Sequence, residues 1–173
     1  MGHSNLDISL DRGWSFISLN LEPSDPALNA VFSQLSLSAG DMVKNQLVFS
    51  EYYPGFGFFG GLNALTADEM YEVKLTRSAT LTVSGAPVAL PKTVTLGEGW
   101  NFLPCPYQSR VVLPLAVPSF AYTAGDLFKS QRLFAEYYGA IFGWFGSLTT
   151  MEPGLGYKVK VVSGGLAAFP AQQ

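Results

Sequence analysis

The chain has one cysteine, Cys105, and one histidine, His3, among its 173 residues. A lone cysteine excludes an internal disulfide, and without a second His or Cys there is no thiolate or imidazole set of the kind that holds a metal. Cys105 stands between Pro104 and Pro106 with no basic neighbour to lower its pKa, so it reads as a buried, inert thiol. With His3 beside the start, a Ser-His-Asp arrangement has nothing to build on, and no GxSxG elbow occurs.

Charge is scarce as well. Only 13% of residues are Asp, Glu, Lys or Arg, about half the share of an average soluble domain. The ten Lys and Arg residues are scattered and the net charge is −3, so no basic stripe exists to neutralise phosphates and nucleic acid is not an expected partner. Long apolar runs are missing too: Gly, Pro, Ser and charged residues interrupt every stretch before the roughly 20 residues a membrane-spanning helix needs. The opening residues MGHSNLDISL are too short and too polar for a signal peptide and lack the Arg- and Ser-rich character of a transit segment, which suggests a cytosolic protein or a processed form.

What is present is apolar and aromatic. Apolar residues make up 48% of the chain and aromatics 14%, ample for a packed core. They are organised as an internal repeat. GWSF at 13–16 returns as GWNF at 99–102, AGDMVKNQLVFSEYY at 39–53 as AGDLFKSQRLFAEYY at 124–138, FGFFGGL at 56–62 as FGWFGSL at 142–148, and MYEVKL at 70–75 as GYKVKV at 156–161. Two copies of about 85 residues, much longer than a solenoid repeat, point to duplication of a small domain. The expected organisation is a first unit over 11–83, a connecting strap over 84–98 and a second unit over 99–170.

Short runs such as WSFISLNL, MYEVKLT and ATLTVS, rich in Val, Ile, Phe, Thr and Tyr and separated by turn residues, predict strands. The fold class is therefore mainly β with short helices, as two sandwich-like units in pseudo-twofold tandem. One short helix is expected in PALNAVFSQL, capped by Ser24, with Leu28, Val31, Phe32 and Leu35 on one face. The matching stretch YQSRVVLPLAVPSF holds Pro114 and Pro118, which are expected to interrupt a regular helix. The strap contains two prolines but also Val88, Leu90, Val94 and Leu96, as an edge strand would.

Catalytic and ligand-binding motifs do not emerge. The FGFFGG and FGWFGS stretches lack both the GK[ST] ending of a phosphate loop and the GxGxxG of a dinucleotide loop, and no cofactor is expected. Glu51 and Glu136 occupy equivalent places in different units, which does not make the paired carboxylates of a glycosidase. Asp41 and Asp126 follow Ala-Gly at a strand start, where a carboxylate accepts backbone hydrogen bonds in a turn; the spacing of a calcium loop is absent. Lys44, Lys74, Lys129 and Lys160 alternate with apolar residues and read as solvent-facing strand positions, or as partners of acids on another subunit. The aromatics Tyr52, Tyr53, Phe56, Phe58, Phe59, Tyr137, Tyr138, Phe142, Trp144 and Phe145 admit two readings: core packing around glycine turns, or an outward-facing set that meets another subunit or a sugar.

The motifs GWSF/GWNF, AGDMVKNQ/AGDLFKSQ, FGFFGGL/FGWFGSL and YEVKL/YKVKV resemble the tandem GWNW, GDYIKNQ, YGWFGSL and YKLK repeats of marine microbes and algae. Two such copies, over about residues 11–170, are similar to the PyShell proteins that coat the pyrenoid, the Rubisco-filled compartment of diatom plastids. The resemblance implies a non-enzymatic protein whose copies form a homo-oligomeric sheet or tube at the pyrenoid periphery, shaping the Rubisco condensate and limiting CO2 leakage. The rival reading is a carbohydrate-binding or adhesion module of a secreted or surface protein, extracellular in location, with Tyr52, Tyr53, Tyr137, Tyr138 and Trp144 as stacking faces.

Overall fold

The computed structural model describes residues 2–172. In the first half the strands are β1 (Ser4–Leu10), β2 (Gly13–Ser18), β3 (Leu21–Pro23), β4 (Met42–Lys44), β5 (Phe49–Tyr53), β6 (Gly57–Gly60), β7 (Met70–Leu75) and β8 (Ala79–Pro87), with the helix α1 (Leu28–Val31) between β3 and β4. The second half runs β9 (Lys92–Leu96), β10 (Gly99–Leu103), β11 (Val111–Val112), helix α2 (Leu113–Ala116), β12 (Leu127–Lys129), β13 (Phe134–Tyr137), β14 (Trp144–Gly146), β15 (Thr150–Met151), β16 (Tyr157–Val161) and β17 (Gly165–Phe169). The fold is mainly β, as expected.

The strands fall into matching sheets. Five strands ordered β2-β7-β4-β5-β6 in the first half correspond one to one with β10-β16-β12-β13-β14 in the second, and every pairing is antiparallel. A smaller sheet, β1-β8-β3, packs on the first large sheet, and β17-β9 packs on the second. Alternation decides which side is which. On β7, Tyr71, Val73 and Leu75 turn inward while Glu72 and Lys74 turn out; on β8, Leu81 and Val83 turn in to meet them. Each half so has its own core, one around Ile17, Phe32, Val43 and Tyr71, the other around Tyr107, Phe128, Tyr157 and Phe169.

The stretch 84–98, expected as a strap, divides between the halves. Residues 84–87 complete β8, and β9 pairs along its whole length with β17, with Leu96 in the second core. β9 is thus the counterpart of β1, which lies before residue 11, so the boundaries 11–83 and 99–170 each omit a strand.

The helices differ from expectation in a physically simple way. α1 is a single turn with no side-chain cap: the Asp25 carboxylate accepts the Ala27 N–H, while Ser24 Oγ faces His3 and the Ser84 carbonyl. In the second half Pro114 does not prevent a helix. It lies in the first turn of α2, where a missing N–H costs nothing, and Pro118 follows just beyond the end.

Candidate assembly surface and the seam between the halves

The outer faces of the two large sheets carry the same side chains in the same rows. Register places Trp14, Lys74, Met42, Glu51 and Phe59 side by side across the first sheet, and Trp100, Lys160, Leu127, Glu136 and Phe145 across the second. Cross-strand neighbours on one face interact directly. The Lys44 and Lys74 ammonium groups lie 5.9 Å from the Trp14 ring, and Lys129 and Lys160 stand at the same distance from Trp100. These lysines cover tryptophan faces as well as meeting solvent.

The repeated aromatic motif splits in two. Phe58 is 9% exposed and packs on Phe32 and Tyr52 at ring separations of 5.5 and 5.4 Å, so it belongs to the core and offers no surface to a neighbour. Tyr52 is half-buried against the same core. Trp144, at the place of Phe58, is half-buried against Tyr122, Tyr137 and Phe128. The alternate residues point out. Tyr53 stacks edge-on with Phe59 at 5.9 Å, Tyr138 with Phe145 at 5.8 Å, and all four are exposed. Phe56 (78% exposed) and Phe142 (68%) occupy the turns beside them, and Phe49 and Phe134 extend each patch.

Glycine makes this arrangement possible. Gly60 and Gly146 have φ of +151° and +155°, and a Cβ at either position would overlap the carbonyl oxygen of Phe49 or Phe134 on the adjacent strand. The neighbouring strand can approach only because the side chain is absent.

The Asp41 and Asp126 carboxylates are buried, and each accepts backbone hydrogen bonds as expected. Asp41 receives the N–H groups of Ser38 and Thr76 and the Thr76 hydroxyl; Asp126 receives those of Thr123 and Val162. Each ties the turn before its strand to the chain leaving the sheet centre.

Two glutamines that recur in the repeat make the seam between the halves. Gln131 Nε2 donates to the Trp14 carbonyl at 2.7 Å while its Oε1 accepts the Phe16 N–H at 3.1 Å. Gln46 does the same on β10: Nε2 to the Trp100 carbonyl at 2.6 Å, and Oε1 from the Phe102 N–H at 3.3 Å. Each side-chain amide satisfies an edge strand as a neighbouring peptide group would. Between them Lys158 Nζ lies 3.2 Å from Glu72 and 4.8 Å from the rings of both Phe16 and Phe102, and Lys44 reaches the same Glu72 at 3.4 Å.

The seam closes more tightly on one side than on the other. On the first half, the Ser18 N–H donates to the Gly154 carbonyl and the Gly156 N–H to the Phe16 carbonyl, so residues 154–156 run along the edge of β2. Gly156 is required there, because a Cβ would stand 2.8 Å from the Ile17 carbonyl oxygen and from Met70. Ser18 Oγ also accepts the Cys105 N–H at 2.8 Å, and Asn20 donates to the Tyr107 carbonyl. Cys105 is fully buried at this junction and burial pushes its thiol up to about 12, in keeping with an inert thiol. On the second half, Met70 stands where Gly156 does and Pro104 where Ser18 does. Proline has no N–H to give and methionine carries the side chain that glycine lacks, and on that side no equivalent backbone hydrogen bonds form among the described residues.

The glutamine clamps were visible in the sequence only as recurring letters, and the charge reversal from Glu72 to Lys158 at one repeat position was their companion signal. Among the described residues no helix is long and apolar enough to cross a membrane. Compared with known proteins, the chain matches no family model, no curated protein and no solved structure.

Proposed function

We propose that the chain is a non-enzymatic structural protein whose copies assemble into a sheet or tube, and that its two halves are pseudo-twofold-related units serving as one tile. The observation that carries this reading is the duplication of an exposed aromatic patch, Tyr53 with Phe59 and Tyr138 with Phe145, at equivalent places on two sheets. One tile therefore offers two similar sticky surfaces, and contacts between such surfaces that do not close on themselves propagate. Low surface charge keeps repulsion between neighbouring copies small. The similarity of the repeat to pyrenoid shell proteins supports the wall of a Rubisco-filled plastid compartment as the setting.

Electron microscopy of the purified chain tests the reading. Ordered sheets or tubes are the expected result; a protein that stays monomeric at high concentration and binds glycans instead would show it to be an adhesion module.

A further inference from the structure

The two sides of the seam present one slot twice, filled once and open once. Beside β2 the slot holds residues 154–156 of this chain, whose Gly156 N–H satisfies the Phe16 carbonyl. Beside β10 the corresponding stretch is Asp68-Glu69-Met70, which makes no backbone hydrogen bond to the strand among the described residues. What remains is a cleft of about 490 Å³ between β9, β10 and that stretch. Trp100 and Phe102 turn their backbone groups toward it, since Gln46 binds the carbonyl of one and the N–H of the other. The Phe102 carbonyl, equivalent to the one Gly156 satisfies, receives no hydrogen bond from any described residue.

The cleft is rich in acceptors. Asp68 is engaged by Lys92 at 2.6 Å, which balances one negative charge. Glu69 receives Asn45 Nδ2 and the Tyr71 hydroxyl, both on Oε2, so Oε1 is left without a partner among the described residues and its charge has no cation. Asn101 is committed to the Gly97 and Gly99 backbone, and Gln46 to β10. An occupant must therefore bring an N–H donor for the Phe102 carbonyl and positive charge for Glu69.

We propose that this cleft is a docking slot for an extended peptide that adds to the edge of β10 and places a basic side chain against Glu69. The occupant is a peptide because a peptide fills the equivalent slot, and edge addition is a common way for a strand to recruit one. A small residue at the point of closest approach is needed for the reason Gly156 is glycine. The proposal is independent of self-assembly and holds whether or not the tile reading does.

The test is calorimetric titration of the full chain at low ionic strength with acetyl-Gly-Leu-Gly-Arg-amide, using acetyl-Gly-Leu-Gly-Glu-amide as the control. The expected result is millimolar binding of the arginine peptide, at least about tenfold weaker binding of the glutamate peptide, and a loss of about threefold or more on Glu69→Gln, as for one screened ion pair. Thr95→Trp, on the exposed side of β9, fills the cleft without touching the core and abolishes binding. Equal binding of the two peptides, absence of binding, or unchanged binding in Thr95→Trp overturns the proposal. Circular dichroism confirms that both variants are folded.

Discussion

Glu72 and Lys158 occupy the same position in the two copies of the repeat, carry opposite charges, and meet across the seam at 3.2 Å. A copy of the first half paired with itself would set Glu72 against Glu72, and the second half would set Lys158 against Lys158. The charge reversal therefore favours the mixed pairing over either like pairing. Glu72→Lys should lower stability by about 2 kcal/mol, since a half-buried acid with two lysine partners becomes a third cation. The double exchange Glu72→Lys with Lys158→Glu should recover at least half of that loss. A denaturant titration of the three variants measures it; equal loss in single and double variants would deny the pair a directional role.

The glutamine clamps make a sharper chemical prediction. Gln131→Ala frees the edge of β2 and should cost about 1 kcal/mol, because water replaces part of what the amide supplied. Gln131→Glu is nearly the same size, yet it loses the donor to the Trp14 carbonyl and puts a carboxylate oxygen there instead. It should cost at least as much as alanine, and Gln46→Glu should behave likewise on β10. A glutamate variant as stable as the parent would mean that the amide is not acting as a peptide substitute.

Gly146→Ala and Gly60→Ala should each destabilise by roughly 2 to 4 kcal/mol, because the new methyl group meets a backbone carbonyl that cannot turn aside. Gly139→Ala makes a useful contrast: its φ is also positive, +96°, but no atom lies within 4 Å of its Cβ, so it bears conformational strain alone and should lose about 1 kcal/mol. Thermal melts of the three rank them, and equal losses would remove the steric argument.

Alkali should weaken the fold before it attacks anything else. Burial holds the Cys105 thiol, ordinarily at 9.0, up to about 12, and the Tyr71 hydroxyl, ordinarily at 10.0, up to about 12; Tyr107 and Tyr157 are raised in the same sense. The folded chain keeps these protons while the unfolded chain releases them. Their contribution to stability is therefore full below pH 9 and falls as pH rises toward 12, by about 1.4 kcal/mol per pH unit for each group in its window. Urea midpoints measured between pH 8 and 11 should drop from about pH 9 onward, and Cys105→Ala should delay the onset to near pH 10. In the native state Cys105 should resist a thiol reagent that labels it at once after unfolding.

Much of this fold could be read from the letters because the duplication states each strand twice. The recurring GW, AGD, EYY and YxVK segments became β2/β10, the turns before β4/β12, β5/β13 and β7/β16. Strand alternation in MYEVKL was enough to separate Tyr71 and Val73 from Glu72 and Lys74. The helices were harder, since one turn of four residues has almost no periodicity to detect and Pro114 is harmless only at the position it happens to occupy. The aromatic motif could not be divided without strand register: Phe58 and Phe59 are neighbours in sequence, and the pleat alone sends one inward and the other out. The seam was the least legible, because a glutamine that pairs with a strand edge over 100 residues away looks the same in sequence as one in solvent.

The most direct test of the central claim is electron microscopy and sedimentation of the full chain beside a Phe59→Lys, Phe145→Lys double variant. Both rings are exposed on the outer face of their sheets, so their loss should leave the circular dichroism spectrum and melting profile close to the parent's. The account predicts ordered sheets or tubes from the parent chain and a folded, non-assembling species from the variant. A parent that remains monomeric, or a folded variant that assembles as well as the parent, would contradict it.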